Sequence, residues 1–367
     1  MKKILSVLLA ATILLFPLTA CGSGSNMSGN STPATSTESS ARDTQTAAAD
    51  GEVINWKFSL AVSDTNFQAQ AWKAWADKVT EESGGRLTFT MYYDDTLLDY
   101  ANAYEQLKAG IADIADVHRF ASSGFKISEH WKAITSGVPV GHEADVSHDL
   151  WNAFEGLRNE YKDVYVPAQA FNGGTVYQIL SVKKPIESVA DMKGLQIWCE
   201  ADYNQFVSDC GATPINAPFA EVYSSLQKNL FDGMMIPKET LISCNFAEVC
   251  KYITLVDIAY ATAPGHLINL DSWNALPQDI KDIIEANMVF VEEENHKRFL
   301  AVEEDALQTA ITKYGVTPIE LTAEAKSGFA ETLYNANLTV AKQLDAQGLP
   351  GTDFVNKVAE FSASYTR

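Results

Sequence analysis

Gly194-Leu195-Gln196-Ile197-Trp198, Thr213-Pro214-Ile215 and Asp232-Gly233-Met234-Met235-Ile236 are three short apolar runs that decide how this chain reads. Residues 203–209 and 219–230 lie between them with helical character, so the order is strand, helix, strand, helix, strand. A helical crossover returns the chain in the same direction, and the rhythm therefore predicts an α/β lobe with a mainly parallel sheet.

Working outward, the same rhythm opens near the start. Ile54, Trp56, Phe58, Leu60 and Val62 alternate onto one face of a strand. Ser63-Asp64-Thr65 can cap the next helix, where Phe67, Ala71, Trp75 and Val79 recur every four residues. Gly84-Gly85 ends it, and Leu87, Phe89, Met91 and Tyr93 alternate as a second strand. A helix near 101–109 stops at Gly110 and runs into a strand at 111–115. Toward the other end, Leu276-Pro277 introduces a long helical tract reaching about Tyr314. Two α/β lobes joined by long helices predict a cleft between them, where ligands of open α/β sheets gather.

The first twenty residues carry an address. Lys2 and Lys3 precede an apolar run at 4–18, too short for a spanning helix of roughly 20 residues and suited to a signal peptide. Leu18-Thr19-Ala20-Cys21 resembles a bacterial lipobox, which implies cleavage before Cys21 and acylation of its thiol, palmitate being such an acyl group. Residues 22–50 are almost all small or polar and cannot bury enough surface to fold, so they read as a tether. The expected location is the extracytoplasmic face of a cell membrane, held by lipid.

Loss of Lys2 and Lys3 with the leader takes the formal net charge from −20 to −22, which disfavours nucleic acid and a polybasic grip on lipid. With 46% apolar residues, the remainder after the tether suffices for two cores. Cys199, Cys210, Cys244 and Cys250 are left: Cys199–Cys210 with Cys244–Cys250 is the most local pairing, and buried free thiols are the alternative.

Ala190-Asp191-Met192-Lys193-Gly194-Leu195, Cys210-Gly211-Ala212-Thr213-Pro214 and Phe219-Ala220-Glu221-Val222-Tyr223-Ser224-Ser225-Leu226-Gln227 with Asp232-Gly233 make the chain similar to the DctP family, the extracytoplasmic solute-binding proteins of TRAP transporters. Leu107-Lys108-Ala109-Gly110-Ile111-Ala112-Asp113-Ile114 fits as well. The resemblance implies an α/β, two-lobed periplasmic-binding-protein-like clamshell with a long connecting helix. Its expected lobes are 53–175 with 262–300 and 176–261 with 301–367. It also implies capture of a small organic solute and delivery to an ion-gradient-driven membrane permease, by a monomer that catalyses nothing and needs no cofactor.

The chain departs from that pattern where the ligand's head group would sit. The family's carboxylate-binding arginine after "K-G-L-x-I" is Trp198, a second basic position is Gln178, and the asparagine after "D-G-x-x" is Ile236. A guanidinium fork grips a carboxylate bidentately, an indole stacks on rings or cations, and a glutamine offers uncharged hydrogen bonds. The expected ligand is therefore neutral, aromatic or amine-bearing. The expected lining is Trp198, Gln178, Phe219, Ile236, Met235, Tyr93 and Asn66, with Glu200 and Asp202 making the region acidic. The competing reading is an organic acid met by Arg119 or by backbone donors, with Lys238 a further substitute cation.

Catalytic and metal motifs fail. His142-Glu143 lacks the second histidine, since Val146 stands in its place. Ser225-Leu226-Gln227-Lys228 lies inside the family's helix signature, and no Cys-x-x-Cys or Gly-x-Ser-x-Gly occurs. A ligand-sensing lipoprotein and an extracellular hydrolase are the readings from other classes.

Overall fold

The computed structural model describes residues 53–117, 124–167 and 175–365. Cys21 with its leader and tether, and Arg119, lie outside the described residues.

Alternation builds β1 (Ile54–Ser59) and β2 (Leu87–Tyr92), with α1 (Phe67–Glu82) between them. The cap of α1 is Asn66 rather than the preceding triplet: its Oδ1 accepts the Gln68 N–H at 2.8 Å, satisfying a donor that the helix start leaves open. Ala71, Trp72, Trp75, Ala76 and Val79 form its buried stripe. α2 (Ala103–Lys108) leads into β3 (Ile114–Asp116). Next come α3 (Trp131–Thr135), β4 (Ser136–Val138), α4 (Glu143–Ala153), α5 (Glu155–Glu160) and β5 (Val164–Tyr165).

The chain continues as β6 (Tyr177–Ser181), β7 (Gln196–Trp198), α6 (Asn204–Asp209), β8 (Thr213–Ile215), α7 (Phe219–Gln227), β9 (Gly233–Pro237), α8 (Thr240–Ser243) and β10 (Tyr252–Tyr260). The chain then returns through β11 (His266–Asn269), α9 (Leu270–Ala275) and α10 (Gln278–Ala286). α11 (Met288–Tyr314), β12 (Thr317–Ile319), α12 (Ala323–Asp345) and α13 (Gly351–Tyr365) complete it.

The first sheet has the order β2-β1-β3-β11-β5, with β1 parallel to β2 and β3. It is mixed rather than mainly parallel, because β11 runs antiparallel to both neighbours. β11 enters from the second sheet through residues 261–265 and not over a crossover helix, so nothing imposes the parallel direction. The second sheet runs β12-β10-β6-β9-β7-β8, with β4 added against β10.

The Asp232-Gly233 step of the signature has a structural cause. Asp232 Oδ2 accepts the Gln196 N–H at 3.0 Å, and a Cβ on Gly233 would stand 2.3 Å from the Leu180 carbonyl oxygen. Only glycine lets β9 seat there between β6 and β7.

The expected long helical tract is divided at Asn287, whose Nδ2 donates to Glu82 Oε2 at 2.5 Å. Beyond it α11 has 27 residues, about 40 Å at 1.5 Å per residue. Met288 and Val291 belong to the core around Trp72 and Trp75, whereas Leu307 and Ala310 belong to the core under β6, β7 and β9. α11 is thus the connecting helix. α12 also joins two cores: Phe329 and Leu333 pack with Tyr203 and Phe206, and Ala341 and Leu344 pack with Trp131 and Phe354.

Candidate functional site

β7 runs parallel to β8 and β9, and β6 runs antiparallel to both β9 and β10. The carboxyl ends of β7, β8, β9 and β10 therefore share one edge with the amino end of β6. Ligands of open α/β sheets sit outside such carboxyl ends. This edge carries Tyr177, Trp198, Glu200, Phe219, Lys238 and Tyr260. In the first sheet, Asn66 and Tyr93 follow the carboxyl ends of β1 and β2.

On one face of the second sheet, Gln178 is the register partner of Ile236, and Leu180 and Trp198 are both partners of Met234. Trp198 is 7% exposed, and its Nε1–H donates to the Ala217 carbonyl at 2.9 Å. Its ring centroid lies 5.7 Å from that of Phe219, which is 48% exposed. Phe219 is the aromatic surface that meets solvent, and Trp198 is its backing. Ile236 is buried behind them. Met235 points to the opposite face, fully buried among Ile197, Tyr177 and Phe206, so pleating separates it from the wall that Ile236 joins.

Gln178 is fully buried and its amide is spent. Nε2 donates to Asp257 Oδ1 and Oε1 accepts the Asp257 N–H, both at 3.0 Å. The cause is a slip in the β10–β6 pairing between Thr254 and Ile258, where Asp257 takes a φ of 51°. The glutamine side chain replaces ladder bonds that the bulge removes. Asn66 Oδ1 is likewise committed, to the cap of α1. Tyr93 is half-buried against the first core, and burial raises its phenol above the ordinary value.

Two lysine–carboxylate pairs stand at this edge. Lys238 Nζ lies 3.3 Å from Oε2 of Glu303, a residue of α11 that is 1% exposed. Burial pushes the Glu303 carboxyl up to about 7 against the pull of Lys238. Neighbouring Glu239 is pushed up to about 8, first by burial and then by the charge of Glu303.

The second pair was legible only at Glu200. Lys132, on α3, donates to Glu200 Oε2 at 2.5 Å and to Tyr177 Oη at 3.1 Å. Tyr177 Oη donates to Glu200 Oε1 at 2.9 Å. The ammonium stands 5.6 Å from the Tyr177 ring centroid and 5.4 Å from that of Tyr260. Burial works against the charged lysine, but Tyr260, Glu200 and Tyr203 more than offset it and raise its pKa. Asp202 is raised by burial and pulled back by Lys132. Nothing in the local sequence marks Lys132 or Tyr260. The parity of β6 alone hints at Tyr177, which must face away from Gln178.

Cys199, Cys210, Cys244 and Cys250 are free thiols, and burial pushes Cys199, Cys210 and Cys250 up to about 12. Among the described residues no His, Cys, Asp or Glu group could hold a metal, and no helix is long and apolar enough to cross a membrane.

Residues 58–343 match the family model described as bacterial extracellular solute-binding protein, family 7. The chain is 27% identical over 220 residues to the 2,3-diketo-L-gulonate-binding periplasmic protein of Escherichia coli K12, covering 56% of this chain and 63% of that one. It is 26% identical over 248 residues to the sialic acid-binding periplasmic protein of Vibrio cholerae, covering 65% and 74%. The first two relatives are matched over 63% and 66% of their own length, just under two thirds. Among solved structures, a TRAP periplasmic solute-binding protein from Ochrobactrum anthropi superposes with a TM-score of 0.73 at 21% identity, over 86% of this chain and 96% of that one. A marine-metagenome TRAP protein specific for aromatic acids, bound to 3-hydroxybenzoate, gives 0.70 at 21% identity over 86% and 100%. With the fold and most of its length matched, the chain belongs to the DctP family of bacterial extracellular solute-binding proteins, a family of binding proteins rather than enzymes.

Proposed function

We propose that this protein is the solute-capturing component of a TRAP-type transporter, binding a small aromatic organic molecule between its lobes and handing it to a membrane permease. The carrying observation is the carboxyl edge of the second sheet, where the exposed ring of Phe219 lies over Trp198 on one face and Tyr177 and Tyr260 flank the Lys132 ammonium on the other. The lobes of this clamp are taken as 53–175 with 262–300 and 176–261 with 301–367, and α11 and α12 span them. An acyl anchor on Cys21 keeps the clamp beside its permease.

Relatives support an organic ligand and differ over which: the names above include a keto-gulonate, a sialic acid and 3-hydroxybenzoate. Trp198 and Gln178 favour an aromatic or neutral solute less directly than their residue types suggest, because their polar groups are already bonded. Phe219 takes over the role of aromatic contact. A thermal-shift panel of acids, aromatics and amines on the mature chain tests the reading. A ligand at 100 times its Kd adds about 2.7 kcal/mol, and Phe219→Ala should weaken every aromatic hit. A panel in which only non-aromatic sugars stabilise the protein would refute it.

A further inference from the structure

Glu200 is held in an unusual way for a residue near the surface. One of its oxygens takes the Lys132 ammonium and the other takes the Tyr177 phenol, at 2.5 and 2.9 Å. An ammonium and a hydroxyl converging on both oxygens of one carboxylate is how a protein grips a bound acid. Glu200 is the more open of the two at 39% against 28%, and the Lys132 ammonium lies deeper, against the rings of Tyr177 and Tyr260. Glu200 has an extended backbone just before the 3-10 turn Ala201–Tyr203, so a change of its side-chain torsions carries the carboxylate outward without moving the chain. Lys132 has no such freedom, with Tyr177 and Tyr260 flanking its ammonium. The more exposed partner is the one that can leave.

We propose that Glu200 is a resident stand-in for the carboxylate of the solute. An aromatic acid replaces it, taking the bonds from Lys132 Nζ and Tyr177 Oη, with its ring against Tyr260, while Glu200 turns into water. No covalent bond changes and Lys132 stays charged throughout; one carboxylate is exchanged for another. The proposal rests on the solute-capture reading and names its ligand class. It also places the cation that the Trp198 substitution removes on α3, far from the family's arginine position. Glu200 and Asp202 keep the empty site negative, so Glu200 acts as a competitor that lowers affinity for the acid.

The test is titration calorimetry on the mature chain with benzoate as the anionic probe and benzamide as its uncharged counterpart. Glu200→Gln removes the competitor and should raise benzoate affinity about fivefold, the scale of an exposed ion pair, with benzamide unchanged. Lys132→Met should abolish benzoate binding, and Lys132→Arg should retain it; melting curves confirm that each variant is folded. Unchanged or weaker benzoate binding by Glu200→Gln overturns the exchange. So does a wild type that binds benzamide and not benzoate, which leaves solute capture standing. A thermal-shift panel without any hit overturns both.

Discussion

Two lysine–glutamate pairs stand at one edge of the second sheet, and their surroundings set them different tasks. In Lys132–Glu200 the side chains are 28% and 39% exposed, and both carboxylate oxygens have partners. In Lys238–Glu303 they are 20% and 2% exposed, and Glu303 Oε1 has no hydrogen-bond partner among the described residues. An open pair gains little from Coulomb attraction and can trade partners with a ligand. A closed pair has lost its water, so each charge depends on the other and breaking it is costly. The same two residue types thus leave an exchangeable contact in one place and a fixed helix-to-sheet joint in the other.

The largest effect should come from breaking the closed pair. Lys238→Met leaves the Glu303 carboxylate buried without its cation, a change that costs about 3 kcal/mol. Urea unfolding at pH 9, about two units above the Glu303 value of about 7, reads it. At pH 6 the loss should shrink, because Glu303 then takes up a proton instead of standing charged. An equal loss at both pH values would show that Lys238 contributes through packing alone.

A smaller effect belongs to Gln178, and its history shows what the sequence could tell. The strands β1, β2, β7, β8 and β9 and the helices α1, α6 and α7 were readable from side-chain periodicity, which is local. β5 has two residues and β11 four, too few to show a period, and the bulge at Asp257 breaks the alternation of β10. The residue types at 178 and 198 were plain, but their commitments were not: the bulge at Asp257 is 79 positions from Gln178, and Lys132 is 68 positions from Glu200. Pattern reading sees which groups exist and not which are already bonded. Gln178→Leu should therefore act on stability rather than recognition, at about 1–2 kcal/mol for the two hydrogen bonds it loses to the exposed Asp257, with ligand affinity unchanged. A calorimetric loss of binding without loss of stability would reverse that assignment. The change also sharpens the comparison, since the charge of Asp257 is one of those that raise Glu303.

The closed region should give the protein the larger pH-dependent stability, because two of its carboxyls are strongly raised on folding while Asp202 beside the open pair is pulled back by Lys132. Glu239 and Glu303 are raised from an ordinary 4.5 to about 8 and about 7, chiefly by burial. A carboxyl raised on folding binds its proton more tightly when folded. Its contribution is complete below the unfolded value and is lost as pH rises through the folded one. Stability should fall between about pH 5 and about pH 8 with a slope of at most about 1.4 kcal/mol per unit for each group. Glu239→Gln should flatten the curve, which differential scanning calorimetry across that range would show. An unchanged slope would mean that neither carboxyl titrates there.

The smallest effect is expected where the pair looks strongest by distance. Lys132–Glu200 is the shorter contact, at 2.5 Å against 3.3 Å, yet removing its cation should matter least to folding. Glu200 can turn to water, and Tyr177 Oη still donates to it at 2.9 Å, so no buried charge is stranded. Lys132→Met should change the unfolding free energy by about 1 kcal/mol, with a pH dependence limited to Asp202, which burial raises and Lys132 pulls back. Chemical denaturation of this variant beside Lys238→Met is the direct comparison. If Lys132→Met proves as destabilising as Lys238→Met, the open pair is a structural joint, and a site that must exchange partners to bind its solute would have to be sought elsewhere along the edge.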